Sequence, residues 1–301
     1  MDYPAKIILF GEYGIILNSK ALAIPYPRYT GRFRIPESST DKLSVKENES
    51  NKALDKLNNY FKSNEHNFNF LRLDHFKSDI DKGLYFHSSI PSGSGLGSSG
   101  ALTAALYDRY SEVNRGNDFE LIKTELAAIE SCFHGVSSGI DPLISWMNKP
   151  LLLDNQLKMD ITTILSPFFN TYTLFLIHSS SPGNTGTLVN LFMEKYQQSG
   201  FKAKIDQEYI PLINQTIDAI LAADFSTFEA FMTRYSQFQL SYFQEMIPAK
   251  VINYFKYGIE SHDFYLKICG SGGGGFTLAI ARDREKAVGY FNLNHLDYTI
   301  V

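Results

Sequence analysis

Apolar and polar positions alternate along the chain in blocks that predict a mixture of strands and helices. Lys6-Ile-Ile-Leu-Phe-Gly-Glu-Tyr13 opens with an apolar run that predicts a buried strand, broken by Gly11. Ala21-Leu-Ala-Ile-Pro25 and Gly31-Arg-Phe-Arg-Ile35 predict two more strands. Residues 36–50 are polar and charged and predict an exposed loop. Leu54, Leu57, Tyr60 and Phe61 recur at helical spacing within a helix expected over 51–64, and the alternation over 68–73 predicts a strand. A strand is expected over Leu84–Ile90. Helices follow over Ala101–Tyr110, where Leu102, Ala105 and Leu106 share a stripe, and over Phe119–Phe133.

In the second half, Lys149–Asp154 predicts a strand, and 155–170 has no period and reads as a crossover. Thr171–His178 is a strong strand pattern. A polar loop over 179–186 then leads into a helix over 187–198. Residues 205–255 are largely helical and rich in Phe and Tyr, whose spacing is that of core packing. Strands over Asp263–Cys269 and Phe276–Ile280 flank a glycine run, Gly270-Ser-Gly-Gly-Gly-Gly275, longer than a hairpin needs. A helix over 283–292 and a strand over 298–301 complete the pattern.

A length of 301 residues suits one large or two ordinary domains, and 44% hydrophobic residues can fill a substantial core. A net charge of −4 argues against a dedicated nucleic-acid binder. Cys132 and Cys269, the only two cysteines, lie far apart and have no partners at metal-ligand spacing, as expected of a reduced cytoplasm. Met1-Asp-Tyr-Pro-Ala-Lys6 has no signal-peptide pattern, and no stretch approaches the ~18 apolar residues of a membrane span.

The most distinctive stretch is Pro91-Ser-Gly-Ser-Gly-Leu-Gly-Ser-Ser-Gly-Ala101, set between an expected strand and an expected helix. Backbone N–H groups at a helix start, approached through glycine, suit a phosphate. Gly95-x-Gly97-x-x-Gly100 also fits a dinucleotide fingerprint, with Glu120 at ribose distance, but nearly ninety residues precede it where an early β-α-β unit belongs. No Lys follows the last Gly, so it is not a Walker A loop. A ligand-free glycine connection is the plain alternative. Ser98 and Ser99 could cap the helix or ligate Mg²⁺.

Glu130 and His134 share a helix face, as a surface pair or as metal ligands. Two ligands are too few for a zinc site, whereas one carboxylate can serve Mg²⁺ on a nucleotide. Gly135-x-Ser137-x-Gly139 matches a hydrolase nucleophile elbow, but the expected helix before it is the wrong context. Asp141 sits at a turn or helix start, as a cap or as a general base. Lys6 is either a solvated strand-edge lysine or a cation facing the phosphate loop.

Three stretches together, Lys6–Tyr13, Pro91–Ala101 and Lys267–Gly275, resemble in the same order the three motifs of the GHMP kinases, a family of small-molecule kinases. Within that family, Glu130 followed by His134-Gly-Val-Ser-Ser-Gly-Ile-Asp141 is similar to the mevalonate kinases, whereas Gly11-Glu-Tyr13 is more like phosphomevalonate kinase, mevalonate kinases usually having His at the last position. Asn184-Thr185 resembles the substrate-loop pair, with Gly183 where an Arg is usual.

The resemblance implies an α+β, two-domain GHMP kinase fold. Its N-terminal domain, 1–165, would be ribosomal-protein-S5-domain-2-like, and its C-terminal domain, 166–301, a ferredoxin-like α/β sandwich. It implies ATP on Pro91, Gly93, Gly95, Leu96, Gly97, Ser98, Ser99 and Gly100, and Mg²⁺ on Ser99 and Glu130. Asp141 would be the catalytic base, with Lys6 beside it holding it ionised and stabilising the moving phosphoryl group. Glu12, Tyr13, Thr185, Gly272, Gly273 and Gly274 would be substrate contacts. The implied activity is phosphoryl transfer to a metabolite hydroxyl, with mevalonate first and phosphomevalonate or a sugar as alternatives. The rival classes are an NAD(P)-binding oxidoreductase and a non-catalytic metabolite-binding protein of the same fold. The expected partner is a small molecule, with no nucleic acid and no membrane; a homodimer stays open.

Overall fold

A computed structural model describes residues 1–37, 43–112, 116, 118–154, 157–179 and 185–301. The chain forms two compact units that interleave along the sequence. The first comprises Met1–Lys6, Pro25–Pro91 and Gly97–Asn148; the second comprises Ile7–Ile24, Ser92–Leu96 and Lys149–Val301. Strands β1 (Tyr3–Phe10) and β2 (Ala21–Arg34) contribute residues to each.

In the first unit the distal part of β2 pairs antiparallel with β3 (Tyr85–Ser88), in the register Gly31↔Ser88 to Arg34↔Tyr85. Helix α1 (Val45–Ser63) packs on β3 and on α2 (Leu73–Asp81), burying Leu54, Phe61 and Phe76. Helices α3 (Ser98–Tyr110), α4 (Phe119–His134) and α5 (Ile140–Met147) pack on one another. Ala101, Ala104 and Ala105 on α3 are fully buried, and side chains this small let the neighbouring helices approach closely.

Three expectations change here. Helix α1 begins inside the expected 36–50 loop, because Ser44 and Glu47 form a capping box: Ser44 Oγ accepts from the Glu47 N–H, and the Glu47 carboxylate accepts from the Ser44 N–H at 2.7 Å. The two strands expected at 21–25 and 31–35 are one strand, β2. Its prolines, Pro25 and Pro27, fall between the β4 ladder at 21–23 and the β3 ladder at 31–34, where a missing N–H costs neither ladder a bond. The strand expected at 68–73 is only a bridge, Leu71↔Ser111, leading into α2.

In the second unit, Ala21–Ala23 of β2 pairs with β4 (Leu151–Leu153), which pairs with β5 (Leu157–Met159). Helix α6 (Thr162–Thr171) follows, so the patternless 155–170 stretch holds a short strand and a helix. A four-stranded antiparallel sheet has the order β7-β8-β6-β9, from β6 (Thr173–His178), β7 (Tyr265–Ile268), β8 (Phe276–Ala281) and β9 (Tyr298–Ile300). Between β6 and β7 come α7 (Thr185–Tyr196), α8 (Ser199–Lys204), α9 (Ile210–Leu221), α10 (Phe225–Tyr242) and α11 (Ile252–Ser261); α12 (Arg284–Leu293) precedes β9. Aromatic rings fill this core: Phe10 meets Tyr235 edge-on at 5.4 Å, and Tyr209 stacks on Phe238 at 4.8 Å. Among the described residues no helix is long and apolar enough to cross a membrane.

Candidate active site

In the first unit the start of α3, the end of α4 and the start of α5 bring four of the sequence-predicted residues together. Asp141 lies in the first turn of α5, where a carboxylate complements the helix dipole. Gly139 precedes that turn at φ +74°, and a Cβ there would run into the Lys123 carbonyl oxygen, so only glycine seats α5 at this point. Lys6 on β1 reaches Asp141 with Nζ 2.9 Å from Oδ2; the lysine side chain is 3% exposed and the aspartate 29%. A buried cation paired with a partly open carboxylate leaves Asp141 as the member that can meet a ligand. Gly97 lies against the Lys6 stem and Gly100 against the Asp141 backbone, so the start of α3 borders the pair.

Glu130, near the end of α4, is buried and accepts hydrogen bonds from Ser99 Oγ at 3.3 Å and Ser137 Oγ at 2.5 Å. Ser137 in turn accepts from the Gly139 N–H at 3.0 Å, which links the return loop to α5. Burial, reinforced by the nearby Asp141 charge, pushes the Glu130 carboxyl up to about 7, against the lowering effects of Ser137, Lys6 and Ser99. A buried carboxylate with a serine hydroxyl from a helix start, and a second carboxylate close enough to repel it, form a hard-oxygen donor set that fits Mg²⁺. Among the described residues no three His, Cys, Asp or Glu side chains cluster as a metal cage. Ser137 was not singled out as a partner of Glu130; a hydroxyl in the loop returning from the same helix was the available signal. The side chain of His134 lies outside the described residues.

The glycine loop is shared. Pro91 and Gly97–Gly100 belong to the first unit, with Pro91, Ser98 and Ser99 half-buried, and Ser92–Leu96 belongs to the second. Leu96 is fully buried and anchors it. Within the second unit, Ser92–Leu96 packs backbone to backbone on the other glycine run. A Cβ on Gly275 would lie 2.5 Å from Ser94 Cα, and one on Gly95 would lie 2.7 Å from the Cys269 carbonyl oxygen. Gly95, Gly270 and Gly275 are thus accounted for by two loops touching without side chains between them, whereas Gly272 lies against the Met246 carbonyl and Gly273 against the Leu188 side chain. Gly93 has φ +66°.

The expected substrate contacts in the second unit are differently placed. Glu12 is buried and pairs with the fully buried Lys267, which also donates to the Ile268 carbonyl at 2.7 Å. Tyr235 donates to Glu12 Oε2 at 3.4 Å, and Tyr209 shares a hydrogen bond of 3.0 Å with Tyr235. Tyr13 is 4% exposed, and its hydroxyl donates to the Ser271 carbonyl at 2.6 Å. Neither side chain is open to a small molecule; both tie the 11–13 turn to β7 and the loop after it. Gly272 and Gly274 are buried, Gly273 half-buried, and the Gly273 N–H donates to the Met246 carbonyl at 2.6 Å. Thr185 opens α7, and its side chain, like Gly183 and Asn184, lies outside the described residues.

Residues 52–149, which include α3, α4 and α5, match the GHMP kinases N terminal domain. Its curated relatives are mevalonate kinases. That of Methanothermobacter thermautotrophicus is 31% identical over 169 residues, covering 52% of this chain and 50% of the relative. The chain spans only about half to three-fifths of the length of such relatives, reaching 61% for the Pyrococcus abyssi enzyme at 28% identity. The fold is that of the Methanococcus jannaschii mevalonate kinase, with a TM-score of 0.66 over 100% of this chain and 96% of that one, at 18% identity.

Proposed function

We propose that the chain is an ATP- and Mg²⁺-dependent kinase that phosphorylates the hydroxyl of mevalonate to give 5-phosphomevalonate, a step of isoprenoid biosynthesis. The observation that carries this is the Lys6–Asp141 pair, half open and bordered by the glycine start of α3. The mevalonate kinase relatives favour the acceptor.

Asp141 takes the proton from the acceptor hydroxyl as that oxygen bonds to the γ-phosphorus and the bond to the bridging oxygen of ADP breaks. Lys6 balances the Asp141 charge and then the charge spread over the moving phosphoryl oxygens. The N–H groups of Ser98, Ser99 and Gly100 at the start of α3 hold phosphate oxygens, and Pro91 to Leu96 shapes the approach. Glu130 and Ser99 would hold Mg²⁺, which supplies charge neutralisation on the β- and γ-phosphates when bound. A cytoplasmic location, and a division of labour between 1–165 and 166–301, belong to the same proposal.

Phosphomevalonate is the second acceptor to test, favoured by Gly11-Glu12-Tyr13. An ADP-release assay with mevalonate, phosphomevalonate, galactose and homoserine decides. Turnover with mevalonate is expected; turnover with phosphomevalonate alone reassigns the acceptor, and no ATP-dependent turnover with any of the four overturns the proposal.

A further inference from the structure

We infer that the hydroxyl of Tyr13 is a latch that positions the nucleotide-binding segment Ser92–Leu96, acting through the glycine run 270–275. This rests on the proposed ATP role of that segment.

Tyr13 is not glycine, yet it holds φ 62° and ψ −42°. A bulky residue in that region is strained, and such strain persists only where surroundings over-determine it. The surroundings are explicit. The preceding residue, Glu12, is locked by its buried pair with Lys267, and the Tyr13 ring stacks on Phe192 at 4.6 Å and meets Phe243 at 5.5 Å. Phenylalanine would satisfy those ring contacts equally. What tyrosine adds is one polar atom, and it spends that atom on the Ser271 carbonyl at 2.6 Å. Burial, together with the Glu12 charge, raises the Tyr13 pKa well above its ordinary value, so the hydroxyl stays a donor.

Ser271 sits in a run with few side chains to fix it. Gly270, Gly272, Gly273 and Gly275 all have positive φ. Bonds to the run include Gly273 N–H to the Met246 carbonyl, Ser179 N–H and Oγ to the Gly275 carbonyl at 2.9 and 3.0 Å, and Tyr13 to the Ser271 carbonyl. Its two ends bear directly on the nucleotide segment: Gly270 faces the Gly95 carbonyl, and Gly275 faces Ser94. A displacement at Ser271 therefore reaches Ser94 and Gly95 through main chain alone. Tyr13 is a positioning residue for ATP rather than a contact for the acceptor.

The test is Tyr13→Phe in the full-length protein, compared with wild type and Tyr13→Leu. One lost hydrogen bond predicts a rise of about five- to tenfold in KM for ATP, and in the Kd of a non-hydrolysable ATP analogue. The acceptor KM should stay near wild type and kcat should fall by less than KM rises. Tyr13→Phe should melt slightly below wild type, by the one lost hydrogen bond, and Tyr13→Leu, which also loses the ring stack, lower still. Unchanged ATP affinity in Tyr13→Phe, or a change confined to the acceptor KM, overturns the latch. A wild type that binds no ATP analogue removes the nucleotide role itself, and the latch with it.

Discussion

Lys6 and Asp141 meet at 2.9 Å although one lies on the first strand and the other in the first turn of α5, and only the lysine is fully enclosed. A cation withdrawn from water and aimed at a half-open carboxylate is a costly arrangement for stability alone, because its desolvation is repaid only in part by the pairing. It is well suited to a group that must accept a proton beside a moving negative charge.

Asp141→Asn should keep ATP-analogue binding and lose about 10²–10⁴-fold in kcat, the usual contribution of a general base. Single-turnover kinetics with saturating ATP check this. A near-normal rate would exclude Asp141 from the chemistry.

Glu130→Gln should raise the Mg²⁺ concentration needed for half-maximal activity; an identical Mg²⁺ titration would return Glu130 to a structural role. The same variant tests the pH linkage without metal. A carboxyl whose folded-state pKa is raised from 4.5 to about 7 favours the folded protein while protonated, and that contribution is lost as pH rises through this window. Metal-free wild type should therefore lose Tm relative to Glu130→Gln between about pH 5 and pH 8. Parallel melting profiles would contradict the raised pKa.

Gly139→Ala should destabilise the protein by about 1–3 kcal/mol and lower kcat, because the left-handed backbone is strained and the new methyl group meets the Lys123 carbonyl next to Asp141. Gly135→Ala is the control: it has positive φ but open space around it, so it should cost less and leave the α5 contact intact. Equal losses in urea unfolding would mean that the contact is irrelevant.

Lys267→Met should cost about 3–5 kcal/mol, since Glu12 would stay buried without its cation. Glu12→Gln combined with Lys267→Met should be milder than the single change, with the coupling read from a double-mutant cycle. Additive losses would show that the pair acts as two independent groups.

Much of this was legible in the chain. The order of strands and helices around Pro91–Ala101 followed from apolar periodicity, and the family resemblance proposed Lys6, Ser99, Glu130 and Asp141 as one site before any coordinates. Local signals with short reach were overlooked, as at Ser44 and Glu47, whose spacing marks a helix start within a polar stretch. Tertiary signals were out of reach. Nothing adjacent to Glu12 in sequence says that Lys267 will neutralise it, so an exposed substrate contact and a buried ion pair look alike. The glycines at 270–275 carried a sign of close approach but not of what approaches, which turned out to include the chain's own residues 94 and 95.

The chain passes between its two compact units after residues 6, 24, 91, 96 and 148. No single cut of the polypeptide separates the two bodies: a cut after residue 148 keeps the first whole but carries 7–24 and 92–96 of the second with it, and a cut after residue 6 keeps the second whole but takes 1–6 from the first. A two-fragment version cut at either point would have to complete one of the two bodies by association of its fragments.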